Sequence, residues 1–244
     1  MITPSELQRN LAEVRARISA AAHVVGRDPT EIRLVIVTKG HPAEAIQMLH
    51  ELGENEIGES YVEEGLEKKA KLASFANLAW HMIGHVQSRK AESAAVNFDL
   101  IHSVDSLKLA RKLDRSASEK NRVLPILLEC NVSGEQTKFG WPAWDHARWS
   151  SLLPDITESL KLLNVQVRGL MCIAPYFEDG GKARPYFAHL RALRDFLAQT
   201  FAQTDWGQLS MGMSGDFEVA ILEGATILRI GTAILGPRPR KSEG

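Results

Sequence analysis

Lys39 closes the apolar run Leu34-Val35-Ile36-Val37-Thr38. A lysine at the mouth of an apolar scaffold loses hydration, which lowers its pKa and frees the amine lone pair. Such an amine can form a Schiff base with an aldehyde. Taken alone, the residue reads more simply as a strand-end cation in water. Ser210-Met211-Gly212-Met213-Ser214-Gly215-Asp216 reads as a strand-to-helix turn with close glycines and a hydroxyl. Ser214 and the N–H groups around it could hold a phosphate. The plainer alternative is an N-cap serine, and Asp216 and Glu218 in the first turn lean that way. Arg229-Ile230-Gly231-Thr232 ends the last apolar run. Gly231 would let the backbone approach a ligand, and Thr232 offers both an N–H and a hydroxyl. A buried Arg229 needs an acceptor, either a bound anion or a neighbouring carboxylate.

Other candidates are weaker. His81 and His85 stand four apart, but on a strand and its following turn, with no third ligand in evidence. No metal site is expected. His85 at a rim could touch a ligand, and His81 reads as structural. Ser60 and Glu63 read as a helix capping box. Asn131 either bonds a ligand or anchors its loop.

The elements that must position these residues alternate. A leading helix starts with Thr3 as N-cap, Pro4 at N1 and Glu6 at N3, and stops at Gly26 and Pro29. Eight strand candidates follow, at 32–38, 56–59, 79–84, 100–104, 123–132, 165–172, 208–211 and 226–230. Helical patterns separate them, among them 43–52, 61–73, 106–119, 144–163 and 183–200. Strands alternating with helices imply parallel pairing. Eight units predict an α/β fold, a (β/α)₈ TIM barrel with an extra N-terminal helix. An open doubly wound sheet is the alternative, but no Gly-rich dinucleotide loop follows the first strand. In a barrel, active sites gather at the C-terminal strand ends, where Lys39, Ser60, His85, Ser103, Asn131, Met171, Ser214 and Arg229 fall.

The composition sets limits. With 244 residues and 44% hydrophobic content, one substantial core is expected. The reading is a single domain over 1–236 and a short, basic, disordered tail over 237–244. Formal charge is −1, from 29 basic and 30 acidic residues. That balance offers no general pull toward nucleic acid or acidic membranes, and the five tryptophans are scattered. Cys130 and Cys172 read as buried thiols. Without a signal core or a bilayer-length apolar run, a cytoplasmic protein is expected.

Together the motifs resemble the pyridoxal 5′-phosphate (PLP) homeostasis proteins over nearly the whole chain. The matching pieces are Val37-Thr38-Lys39, Ile57-Gly58-Glu59, the run from Trp80 to Ser88, Gly169-Leu170-Met171, Leu209 to Ser214, and Arg229 to Ala233. The resemblance implies the fold-type III barrel of the alanine racemase N-terminal domain, with PLP as cofactor in a Schiff base on Lys39. It implies that Ser214, Gly231 and Thr232 hold the phosphate and that Arg229 faces the pyridine nitrogen. Met213, Ser60 and His85 complete the expected cofactor set. It also implies a role in PLP balance without conventional catalysis, with apo-PLP enzymes as recipients and the protein a monomer. An arginine cation at the ring nitrogen weakens the ring as an electron sink. Fold-type III racemases use a second, β-rich domain, which the chain is expected to lack. A PLP-dependent racemase or lyase is the alternative, and a barrel holding a flavin mononucleotide or sugar phosphate a third reading. Two departures stand out. Ser60 replaces the family's usual asparagine after Gly-Glu, and Arg89 replaces the usual asparagine in Gln-Ser-Asn-Lys.

Overall fold

The computed structural model describes residues 2–238. The chain opens with α1 (Pro4–Val24), and then strands and helices alternate. They are β1 (Arg33–Val37), α2 (Ala43–Glu51), β2 (Glu56–Glu59), α3 (Val62–Lys71), β3 (Ala79–Met82), α4 (Ala91–Asn97), β4 (Leu100–Val104), α5 (Leu107–Ser118) and β5 (Leu124–Asn131). After them come the two-residue β6 (Trp141–Pro142), α6 (Leu153–Leu160), β7 (Val165–Met171), α7 (Arg184–Thr200), β8 (Gln208–Ser210), α8 (Phe217–Leu222), β9 (Ile227–Ile230) and α9 (Thr232–Leu235).

Eight of the strands pair in parallel and close on themselves. The order is β4-β3-β2-β1-β9-β8-β7-β5, and a β4–β5 pairing completes the barrel. Only β6, the strand absent from the sequence reading, hangs outside, paired to the end of β5. A closed parallel sheet has no free edge, and each strand is apolar on the face the helices cover. Leu34 and Ile36 of β1 therefore join the core between sheet and helices, while Val35 points inside with Leu100, Leu127, Met171 and Ile227.

The first helix starts as its sequence dictates. Thr3 Oγ1 accepts from the Glu6 N–H, and the Glu6 carboxylate accepts from the Thr3 N–H. Its inner face, Leu7, Leu11, Val14 and Ile18, is buried. Two helix expectations are corrected. Ser60 is no N-cap: α3 begins one residue later, after Tyr61, with no side-chain cap bond, and Glu63 pairs with Lys90 instead. The helix expected over 144–163 splits into a 3₁₀ turn, His146–Leu152, followed by α6. Pro154 lacks an N–H and fits only a first turn, so the regular helix must start there. Among the described residues, no helix is long and apolar enough to cross a membrane. No disulfide forms: Cys130 and Cys172 are buried free thiols.

Candidate functional site

A pocket of about 290 Å³ opens at the C-terminal end of the barrel. Lys39, Ser60, Met213, Ser214, Arg229, Gly231 and Thr232 all line it. Seven of the eight residues of the expected cofactor set thus meet in one cavity, while the other strand-end candidates Ser103, Asn131 and Met171 do not line it. The eighth, His85, does not line it. Its ring stacks on Phe139 with centroids 3.7 Å apart, and its Nδ1 lies 3.1 Å from Asp105.

Lys39 follows β1 by two residues and is half-buried. Among the described residues its amine has no hydrogen bond or ion pair. Burial lowers its pKa, and the cations of Arg238 and Arg229 lower it further against the opposing pull of Glu59 and Glu64. The strand end beneath it is held firmly. Lys68 Nζ donates to the Thr38 carbonyl, to Glu59 and to Glu64, each at 2.7 Å. Thr38 Oγ1 also donates to Glu59, at 2.5 Å. Burial raises the Glu59 carboxyl above its usual range despite Lys68 beside it.

Opposite Lys39 the two glycine-containing turns are stitched together. The Ala233 N–H donates to Ser214 Oγ at 3.2 Å. This overturns the N-cap alternative for Ser214: the N-cap of α8 is Asp216, whose carboxylate accepts from the Met213 N–H at 2.6 Å. The N–H groups of Ser214, Gly215 and Thr232 have no acceptor among the described residues and stay available to an anion. Gly212 takes φ +91°, and a Cβ there would lie 2.7 Å from Ala220 Cβ. A Cβ on Gly231 would fall 3.0 Å from the Val37 carbonyl oxygen, closing space between the turn and β1.

Arg229 sits on the pocket floor, almost fully buried. Nη1 donates to Ser210 Oγ at 2.6 Å and Nη2 donates to the Cys172 carbonyl at 2.8 Å. No carboxylate salt-bridges it among the described residues, so the ion-pair alternative is set aside. Burial pushes its pKa down. Glu129, also inside the barrel, is pushed up to about 7, chiefly by burial and then by the nearby charge of Asp105.

The alanine racemase N-terminal domain profile matches residues 5–239. The pyridoxal phosphate homeostasis protein of Pseudomonas aeruginosa is 41% identical over 235 residues, 96% of each chain. That of Aquifex aeolicus is 40% identical over 228 residues, 93% of this chain and 96% of the relative. This chain belongs to the pyridoxal phosphate homeostasis protein family. The PLP-bound structure of PipY from Synechococcus elongatus superposes with a TM-score of 0.81 at 36% identity, covering 94% of this chain and all of PipY. An alanine racemase from Clostridium difficile shares the fold alone, with a TM-score of 0.69 at 14% identity, and this chain covers 60% of it.

Against that family background, the sequence reading missed part of the wall. Ile173, Tyr176 and Phe177 line the pocket from the loop after β7, and Arg238 lines it from the C-terminal segment. Arg238 thereby corrects the picture of a wholly solvated basic tail; residues 239–244 lie outside the described residues. The tail's charge run was visible, but nothing local shows that Arg238 lines the pocket. Of the two departures, Ser60 lines the pocket, whereas Arg89 is exposed outside it and bonds Gln87.

Proposed function

We propose that this protein binds PLP in the pocket at the barrel mouth and serves intracellular PLP homeostasis, holding the cofactor rather than turning over a substrate. The observation that carries the reading is a half-buried Lys39 amine with a lowered pKa and, among the described residues, no partner, sharing a pocket with N–H groups of two joined turns that have no acceptor there. An aldehyde bearing a phosphate is what such a pair of features fits. When bound, PLP supplies an aldehyde for an amine and an electron-withdrawing ring.

Lys39 is the residue to which the aldehyde attaches. Ser214, Gly231 and Thr232 hold the phosphate, and Arg229 takes the ring nitrogen as an acceptor. Held by Ser210 and the Cys172 carbonyl, Arg229 stays a donor and a cation, which opposes protonation of that nitrogen. Asp216 Oδ1 accepts from the Met213 N–H, which orients the carboxylate at the start of α8. Storage and release fit this site better than carbanion chemistry. In this reading the protein works in the cytoplasm as a monomer and passes PLP to apo-enzymes.

PLP titration followed by transfer to an apo-PLP enzyme tests this. We expect the wild type to bind and to reactivate the apo-enzyme, and Arg229→Ala and Thr232→Ala to bind about tenfold more weakly, the loss of one charge-assisted hydrogen bond each. Unchanged affinity in both variants, or amino-acid racemisation or lysis above the rate of free PLP, would contradict it.

A further inference from the structure

Arg229 is the last member of a hydrogen-bond chain that runs through the barrel to its opposite end. Its Nη1 donates to Ser210 Oγ at 2.6 Å. Ser210 Oγ lies 2.8 Å from His102 Nδ1. His102 Nε2 lies 2.9 Å from His81 Nδ1, and His81 Nε2 lies 2.5 Å from Glu56 Oε2. Ser210, His102 and His81 are all but fully buried. Glu56 begins β2 and is partly open to solvent, lining a depression at the bottom of the barrel.

Strand alternation accounts for this placement. Glu56 on β2, His81 on β3, His102 on β4, Ser210 on β8 and Arg229 on β9 all take the inward phase of a closed sheet. Polar groups so deep are retained only when each is satisfied. Here the two ends decide how.

Arginine can only donate, and an ionised carboxylate can only accept. Burial works to raise the Glu56 carboxyl, but the hydrogen bond from His81 opposes it and the carboxyl lies below its usual range. Glu56 is therefore ionised at neutral pH. Ser210 Oγ accepts from Arg229, so its own proton goes to His102 Nδ1. His102 must then carry its proton on Nε2 and give it to His81 Nδ1. His81 in turn carries its proton on Nε2 and gives it to Glu56. Every donor finds one acceptor, with both imidazoles neutral and of the same tautomer. A charged His81 would instead donate from Nδ1 and force His102 to donate to Ser210, whose hydroxyl proton would be left without an acceptor in the chain. Burial alone already works to hold His102 below the usual histidine range.

We propose that Ser210 and His102 are positioning residues for Arg229, fixed in one hydrogen-bond direction by His81 and anchored at the far end of the barrel by Glu56. The chain holds the guanidinium on the pocket floor with its remaining donors toward the ligand. This inference rests on the reading of Arg229 as the group facing the PLP ring nitrogen. The chain's direction itself does not depend on any ligand.

The test has two arms. In ligand-free protein labelled with ¹⁵N-histidine, His102 and His81 at neutral pH should both be neutral and protonated at Nε2. Either ring protonated at Nδ1 would overturn the proposed direction. In the second arm PLP is titrated into the wild type, His102→Leu and His102→Gln. A glutamine amide can accept from Ser210 and donate to His81, whereas leucine can do neither. His102→Leu should weaken PLP about tenfold, the cost of one lost hydrogen bond, and shift the absorbance maximum of the bound cofactor. His102→Gln should restore both. Equal affinity and spectrum in all three proteins would overturn the positioning role. Should His102→Leu fail to fold, Ser210→Ala with Ser210→Thr as its rescue reads the same link. If the wild type binds no PLP, the cofactor reading fails, while the tautomers still decide the relay.

Discussion

At Lys39 burial acts first to lower the amine's pKa, and the positive charges of Arg238 and Arg229 add to it. Condensation with an aldehyde needs the neutral amine, so the lower pKa extends attachment toward neutral pH. Removing one cation raises the pKa again. Arg238→Ala should therefore move the pH midpoint of PLP attachment upward and slow attachment at neutral pH by roughly two- to tenfold, by stopped-flow absorbance. A midpoint that stays put would show that Arg238 does not act on Lys39. Residues of this scale were legible where type and strand position coincide. Lys39, Ser214, Arg229, Gly231 and Thr232 stand at the strand ends that barrel geometry gathers. His85 also stands at one but does not line the cavity; its ring stacks on Phe139 and its Nδ1 meets Asp105. Nothing in the local sequence reveals those two partners. The inward pairing of His81 with His102 was equally hidden, since it depends on which strands neighbour each other.

Among the elements, the turn from β8 into α8 does the most to shape the pocket. Gly212 takes a left-handed conformation, its carbonyl accepts from the Arg229 N–H at 3.0 Å, and its missing Cβ leaves room for Phe217 and Ala220. Gly212→Ala should cost about 1–3 kcal/mol of stability, measured by urea unfolding, and loosen PLP by displacing Ser214. A variant with native stability and affinity would remove the turn from the account. The eight barrel strands were readable, most of them as short apolar runs bounded by turn residues, whereas the two-residue β6 was not. Helix starts were readable at α1 from its cap and at α2 without one, but a cap pattern alone also misled. Thr3, Pro4 and Glu6 specify α1, while Ser60 and Glu63 spell the same pattern and form no box. There Ser60 is drawn to the pocket wall and Glu63 to Lys90. Tertiary placement outweighs a local preference worth about 1 kcal/mol.

Across the whole molecule, α1 braces the end of the barrel formed by α8 and α9. Asn10 Nδ2 donates to the Ile234 carbonyl of α9 at 3.0 Å, Arg17 pairs with Glu218 of α8, and the Arg17 guanidinium lies 4.6 Å over the Phe217 ring. Leu7, fully buried in this contact, should cost about 2–5 kcal/mol when cut to alanine, with the urea midpoint falling at unchanged slope. A loss under about 1 kcal/mol would mean that α1 is not packed as described. The barrel and its leading helix followed from counting strands and reading one cap. The placement of Arg238 in the pocket wall did not, because it depends on long-range packing that no local pattern encodes.

The central claim is that one amine, Lys39, carries the cofactor. Incubating the protein with PLP, reducing with borohydride and mapping the peptides tests it directly. The pyridoxyl mass should appear on Lys39 alone and vanish in Lys39→Ala, which should keep only weak, reversible PLP binding through the two turns. Label on another lysine, or undiminished labelling of the Lys39→Ala protein, would contradict it.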